Sequence, residues 1–335
     1  MSLETVVVTG ASGYIAKHVV ARLLAEGHAV RATVRHAGRE QEVRDAVGGA
    51  YASRLTFATL DLERDEGWNE AMAGAGALVH TASPFPTVQP SDPEELVRPA
   101  VEGTLRALRA AREAGIGRVV LTSSVAAIVY GPDPGRPYDE RDWTDTADPR
   151  NSPYILSKTK AERAAWDYVE REAPGMRLTT VNPGLVLGPA LDDRFGTSLG
   201  LVQRLLGGRD PAVPRLTYAI VDVRDVAAMH VRALRTPASE GRRFLAAAGM
   251  ASLPQIARWL KADFPQKKVV TREAPDLLLR ALGLFDRSIS TIKPDLGKRF
   301  TVSNAAAREV LGIDFIDPHT SVRQSAEFLI ERGKA

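Results

Sequence analysis

The chain has 335 residues, 44% of them hydrophobic, enough for one large domain or two merged ones with a sizeable core. It contains no cysteine, which excludes disulfides, thiolate catalysis and cysteine-based zinc sites. The net charge of +3 comes from 44 basic and 41 acidic residues spread along the chain, so the pI of 9.1 gives no reason to expect a nucleic-acid partner.

The first residues run straight into Val6-Val7-Val8-Thr9-Gly10, with no basic n-region or cleavage site, and no apolar stretch reaches about 18 residues. A soluble, cytoplasmic protein without membrane contact is expected. Short apolar runs predict strands near 5–9, 29–35, 55–59, 77–81, 118–123 and 178–182, and amphipathic segments predict helices near 14–26, 39–47, 66–73, 92–114 and 153–172. This alternation is that of βαβ units. It predicts an α/β fold: a doubly wound (Rossmann) parallel sheet with helices on both faces and a smaller, mostly helical C-terminal lobe. The turn-rich stretch 131–152 leads to Ser152 and Pro153, an N-cap and a first helical residue. Further on, Val221 to Val226 predicts a return to the sheet with Asp225 capping a helix to about 235, and Arg243-Phe244-Leu245-Ala246 predicts one more strand. Residues 1–188 and 219–248 are therefore assigned to the dinucleotide-binding part, and 189–218 and 249–335 to the substrate lobe.

The loop Thr9-Gly10-Ala11-Ser12-Gly13-Tyr14-Ile15-Ala16 stands between the first strand and the first helix with the spacing Gly-x-x-Gly-x-x-Ala. Gly10 allows a tight turn, Gly13 lets backbone approach a pyrophosphate, and Ala16 permits close helix packing, so Thr9, Gly10, Ser12, Gly13, Tyr14 and Ile15 are candidate cofactor contacts. The second strand ends at Arg35, 22 residues after Gly13, where an NAD site usually places a carboxylate. A guanidinium there suits the 2′-phosphate of NADP. Arg39 and Arg44 read better as solvated helix charges. Asp61 and Leu62 follow the third strand, where the carboxylate would accept from the adenine amino group or cap the next helix. His80-Thr81-Ala82-Ser83-Pro84 ends the fourth strand; Thr81, Ala82 and Ser83 are placed for ligand contact, and His80 has no second ligand at metal spacing, so no metal is expected.

Leu121-Thr122-Ser123-Ser124 ends the fifth strand, 30 residues before Tyr154, and Thr122 is a further candidate cofactor contact. Tyr154 and Lys158 are four residues apart on a helix and so share a face. A phenol titrates near pH 10, and an ammonium beside it favours the phenolate. Lys158 is therefore expected to bring Tyr154 toward working pH and to hold the nicotinamide ribose, while Ser124, or else Ser123, donates to the substrate oxygen.

These residues resemble the extended short-chain dehydrogenase/reductase superfamily, through Thr9-Gly10-x-x-Gly13, Ser124 and Tyr154-x-x-x-Lys158. Finer marks are similar to its dihydroflavonol reductase, cinnamoyl-CoA reductase and aldehyde reductase branch: Val30 to Arg35, His80 to Pro84, Asp139-Glu140-x-x-Trp143, and Asn182-Pro183-Gly184-x-Val186-x-Gly188-Pro189. The resemblance covers nearly the whole chain. It implies NADP-dependent reduction of a small-molecule aldehyde or ketone with Ser124, Tyr154 and Lys158 as a triad, and Pro183, Gly184 and Val186 beside the nicotinamide. Flavonoid-specific members present a polar side chain just after the serine, whereas Ala126 to Tyr130 is mostly apolar here, which favours a less polar carbonyl compound. The alternatives are a nucleotide-sugar epimerase or dehydratase, a hydroxysteroid dehydrogenase, and a non-catalytic NADP sensor. Monomer and homodimer are both open.

Overall fold

The computed structural model describes residues 5–84, 90–282 and 292–335. Among them, seven parallel strands form one sheet: β1 (Thr5–Thr9), β2 (Ala29–Val34), β3 (Leu55–Thr59), β4 (Ala75–His80), β5 (Arg118–Thr122), β6 (Arg177–Pro183) and β9 (Arg242–Ala246), in the order β3-β2-β1-β4-β5-β6-β9. The order reverses between β1 and β4. In a doubly wound sheet the crevice at that point, outside the carboxyl ends of the strands, is where a dinucleotide binds.

Helices cover both faces because the strands are apolar on both. Val6 and Val8 pack with Val19 and Val20 of α1 (Tyr14–Ala25) and with Val226 and Met229 of α7 (Val223–Arg235). Val7 points the other way, toward Leu108 of α4 (Glu94–Glu113) and Ala165 and Tyr168 of α5 (Pro153–Arg171). Each fully buried valine contributes about 1.5–3 kcal/mol relative to exposure. Two short helices, α2 (Glu40–Val47) and α3 (Trp68–Met72), complete the connections at the β2–β3 edge.

A second, three-stranded sheet was not expected from the sequence. It joins β7 (Leu185–Leu187), β8 (Thr217–Asp222) and β10 (Gly249–Ser252), with β8 parallel to β7 and antiparallel to β10. The chain crosses from β6 into it at Gly184, where a Cβ would lie 2.1 Å from the Ala219 carbonyl oxygen; no other residue fits that approach. Against this sheet pack α6 (Thr197–Gly207), α8 (Leu253–Asp263) and α11 (Pro318–Glu331), through Leu199, Val202, Ile256, Leu260, Val322 and Leu329. Two further short helices, α9 (Asp276–Leu282) and α10 (Ala305–Leu311), lie between α8 and α11 in the chain. Part of the expected C-terminal lobe, 283–291, lies outside the described residues.

One capping assignment changes. Asp222, not Asp225, caps α7 by accepting from the Arg224 backbone N–H at 2.9 Å. Asp225 lies inside the first turn and accepts from the Ile316 N–H at 2.8 Å, so it ties α7 to the C-terminal segment. No helix among the described residues is long and apolar enough to cross a membrane.

Candidate active site

The glycine loop is built as its composition predicts. Gly10 has φ +66°, and a Cβ there would come within 2.9 Å of Ala82 Cα, so β1 and the end of β4 meet only across a glycine. The Gly13 N–H donates to the Gly10 carbonyl at 2.8 Å, and Gly13 is the N-cap of α1 without any side-chain cap. The unused N–H groups of the first turn thus face the crevice, where an anion is favoured. Thr9 closes the junction from below: its Oγ1 accepts from the N–H of Thr81 at 3.1 Å and of Ala82 at 3.2 Å, and its carbonyl accepts from the Thr81 hydroxyl at 2.5 Å. These contacts commit the side chains of Thr9 and Thr81 to the frame. Tyr14 is likewise committed, donating from its hydroxyl to the Gly188 carbonyl at 2.8 Å, and Ile15 packs on the core. From Tyr14 and Ile15, therefore, backbone rather than side chain is left for a phosphate.

Arg35 stands exposed just beyond β2. Arg39 instead donates to Glu42 at 2.6 Å, and Arg44 lies 4.6 Å over the Phe57 ring, so of these three arginines Arg35 alone is uncommitted among the described residues. Glu42 also accepts from Lys17 at 2.6 Å, and the buried Lys17 pairs with Asp192 as well. That pairing joins α1 to the segment after β7, and no spacing rule would have revealed it. Asp61 does not cap α3, whose N-cap is Gly67; it turns back to accept from the Glu63 N–H at 3.1 Å. Leu62 is buried against Gly103 of α4.

The two serines separate cleanly. Ser123 turns its hydroxyl into the protein, donating to Glu162 at 2.5 Å. Ser124 turns toward the crevice, its Oγ 3.4 Å from the Tyr154 hydroxyl and accepting from the Ala126 N–H at 3.1 Å. Ser152 caps α5 by accepting from the Ile155 N–H at 3.4 Å, with Pro153 in the first turn, so the helix start presents Tyr154 within its opening turn. One turn on, Lys158 donates to Ser83 Oγ at 2.9 Å and stands 5.9 Å from the centre of the Tyr154 ring.

The electrostatics differ from the expectation that Lys158 lowers the Tyr154 pKa. Burial raises the phenol above its ordinary range, opposed by the Ser124 hydroxyl, while burial brings the Lys158 ammonium down to about 8. Both shifts have one cause: the crevice floor withholds water from each charged form. Tyr154 is therefore a protonated phenol at neutral pH, and Lys158 is poised to gain or lose its charge near it.

Beneath these groups lies a buried network. Glu162, one turn beyond Lys158, accepts from Arg243 Nε at 2.6 Å, Asn182 Nδ2 at 2.7 Å and the Thr180 hydroxyl at 3.1 Å, besides Ser123. Asn182 also donates to the Ser124 carbonyl at 3.2 Å. Thr122 spends its hydroxyl on His230 Nε2 at 2.7 Å, so its side chain belongs to the frame. Pro183 ends β6 and is buried, and Gly184 makes the crossover. Alternation then sends Val186 into the core and Leu185 to the cavity, so Leu185 rather than Val186 presents its side chain.

A glycine-rich first turn at the switch point of a parallel sheet, facing a Tyr-x-x-x-Lys helix, defines a dinucleotide-dependent oxidoreductase of the extended short-chain type. The sequence pattern of the NAD dependent epimerase/dehydratase family matches residues 6–247, and the chain belongs to that family. It is 34% identical to cinnamoyl-CoA reductase 1 of Arabidopsis thaliana, over 98% of this chain and 90% of that protein. It is 32% identical to a putative NADPH-dependent methylglyoxal reductase of Candida albicans, over 98% of this chain and 99% of that one. Among solved structures, the yeast methylglyoxal/isovaleraldehyde reductase Gre2 complexed with NADPH superposes with a TM-score of 0.82 at 27% identity, covering 99% of this chain and 100% of the other.

Proposed function

We propose that this protein reduces the carbonyl group of a small aldehyde or ketone, using NADPH, with Tyr154 as the proton donor. The observation that carries the reading is the approach of the Tyr154 hydroxyl to Ser124 Oγ at 3.4 Å, with Lys158 one turn along the same helix at the carboxyl edge of the sheet. The relatives named as reductases, one of them NADPH-dependent and another solved with NADPH, support the choice over epimerisation. The frame fits the cofactor: an uncapped helix N-terminus and a glycine cradle for the pyrophosphate, and an uncommitted Arg35 for the 2′-phosphate. NADPH, when bound, supplies the hydride.

This chain's own groups then do the rest. Ser124 donates to the carbonyl oxygen and holds it beside Tyr154 as negative charge grows on it. Tyr154, protonated because burial raises its pKa, passes its proton to that oxygen. Lys158, as the ammonium, stabilises the phenolate left behind until a solvent proton restores the phenol. Residues 1–188 and 219–248 serve the cofactor in this reading, and 189–218 and 249–335 the substrate. The test is NADPH oxidation against a panel of aldehydes, ketones and diketones. Turnover of one or more supports the reading; cofactor that stays unoxidised with every carbonyl contradicts it and favours a reaction that regenerates its cofactor.

A further inference from the structure

Next to the turn that follows Ser124 there is a cavity of about 100 Å³, walled by Val125, Val129, Leu185 and Phe300. Of the mostly apolar stretch Ala126 to Tyr130, Val129 contributes to the walls of this cavity. Its polarity comes from elsewhere: Tyr130, Tyr218 of β8 and Asp295 of the C-terminal segment also line it. Val125, the residue after Ser124, and Leu185, two residues beyond Pro183, both line it, so the cavity adjoins the reacting end of the site.

Burial raises the Asp295 carboxyl above its ordinary range, opposed by the Lys298 ammonium and the Tyr130 hydroxyl. Lys298 is held outside contact with it, donating to the Val129 carbonyl at 3.2 Å and lying 4.3 Å over the Tyr130 ring. An ionised carboxylate offers about four acceptor positions. Asp295 is half-buried, so water reaches these positions while the cavity is empty, and whatever enters the cavity must replace it. The Tyr218 hydroxyl acts on Asp295 only through its field.

The kind of group that completes this arrangement follows from its charges. An anion is repelled by Asp295, and a cation competes with Lys298, which already offsets the carboxylate. An apolar group leaves the acceptors unfilled. A neutral donor satisfies the carboxylate and can accept from Tyr218 in return. The space is smaller than the roughly 150 Å³ that accommodates benzene, so it takes the end of a molecule rather than a ring system. Resting on the reductase reading above, we propose that the substrate is a carbonyl compound bearing a hydroxyl group remote from its carbonyl, and that Asp295 and Tyr218 bind that hydroxyl.

Matched pairs test this: 4-hydroxy-2-butanone against 2-butanone, and 3- and 4-hydroxybenzaldehyde against benzaldehyde, each by kcat/KM with NADPH. The wild-type protein is expected to favour the hydroxylated member of at least one pair by roughly tenfold or more, the worth of a hydrogen bond to a charged group. Asp295→Leu is expected to bring that ratio to about unity, and Tyr218→Phe to lower it. Should Asp295→Leu not fold, Asp295→Asn replaces it with the same lowered ratio expected. Equal kcat/KM within every pair, or a preference that survives the substitutions, overturns the inference alone. Absence of NADPH oxidation with every compound overturns the reductase reading and this inference with it.

Discussion

Arg243 Nε donates to Glu162 Oε1 at 2.6 Å, in an ion pair whose side chains are 8% and 0% exposed. Arg243 also lies 3.7 Å from the Trp143 ring and donates to the carbonyls of Glu140 and Asp142 at 2.9 and 2.6 Å, so β9, α5 and the loop before α5 meet on one guanidinium. Through Asn182 the same carboxylate holds the Ser124 carbonyl. Glu162 thus positions Ser124 without facing the crevice. Glu162→Ala is expected to lower unfolding free energy by about 3–5 kcal/mol, because it strands a buried guanidinium. Denaturant unfolding checks this. Glu162→Gln, which keeps the shape, is expected to lower kcat more than it changes the KM for NADPH.

The pH dependence of reduction should follow Lys158. Burial brings its pKa to about 8, so it is an ammonium below that value and neutral above it, while the raised pKa of Tyr154 keeps the phenol protonated as Lys158 titrates. Initial rates between about pH 6 and 10 are expected to fall as pH rises through about 8. A profile flat to pH 10 would contradict this.

Acid should destabilise the fold earlier than carboxylates alone would. Burial lowers His18 and His230 to about 4 and His80 to about 3. The unfolded chain binds these protons near pH 6.5, before the folded chain does. The stability is therefore fully present above about 6.5 and is lost as pH falls toward about 4. Melting temperature measured from pH 7.5 to 4.5 is expected to drop across this window, and His230→Gln to reduce the slope.

Cofactor preference should depend on Arg35. It stands exposed beyond β2 while neighbouring Arg39 is held by Glu42. Arg35→Ser is expected to raise the KM for NADPH roughly 10–100-fold and to leave the KM for NADH nearly unchanged, the loss of one charge-assisted phosphate contact. Steady-state kinetics with both cofactors measure it.

The strands of the large sheet were legible because each is a short apolar run ended by glycine, proline or a polar cluster. β6, read at 178–182, extends to Arg177–Pro183. The pairing of Tyr154 with Lys158 was legible because helical spacing fixes it. What escaped depends on tertiary distance. Lys17 looks like an ordinary helix lysine until Glu42 and Asp192 close on it from 25 and 175 residues away. Glu162 reads as a solvated charge until Ser123, Thr180, Asn182 and Arg243 converge on it. The three-stranded sheet escaped through its outer strands β7 and β10, of three and four residues, too short for a periodicity to register. The burial that raises Tyr154 and lowers Lys158 escaped because spacing reports proximity of charge but not exclusion of water.

The most direct measurement is the single-turnover and steady-state rate of Tyr154→Phe with NADPH and a carbonyl substrate turned over by the wild type, alongside NADPH affinity by fluorescence. The account predicts affinity retained within about threefold and kcat reduced by about 10²–10⁴, the contribution of a positioned proton donor. Turnover close to that of the wild type, with NADPH bound, would contradict it.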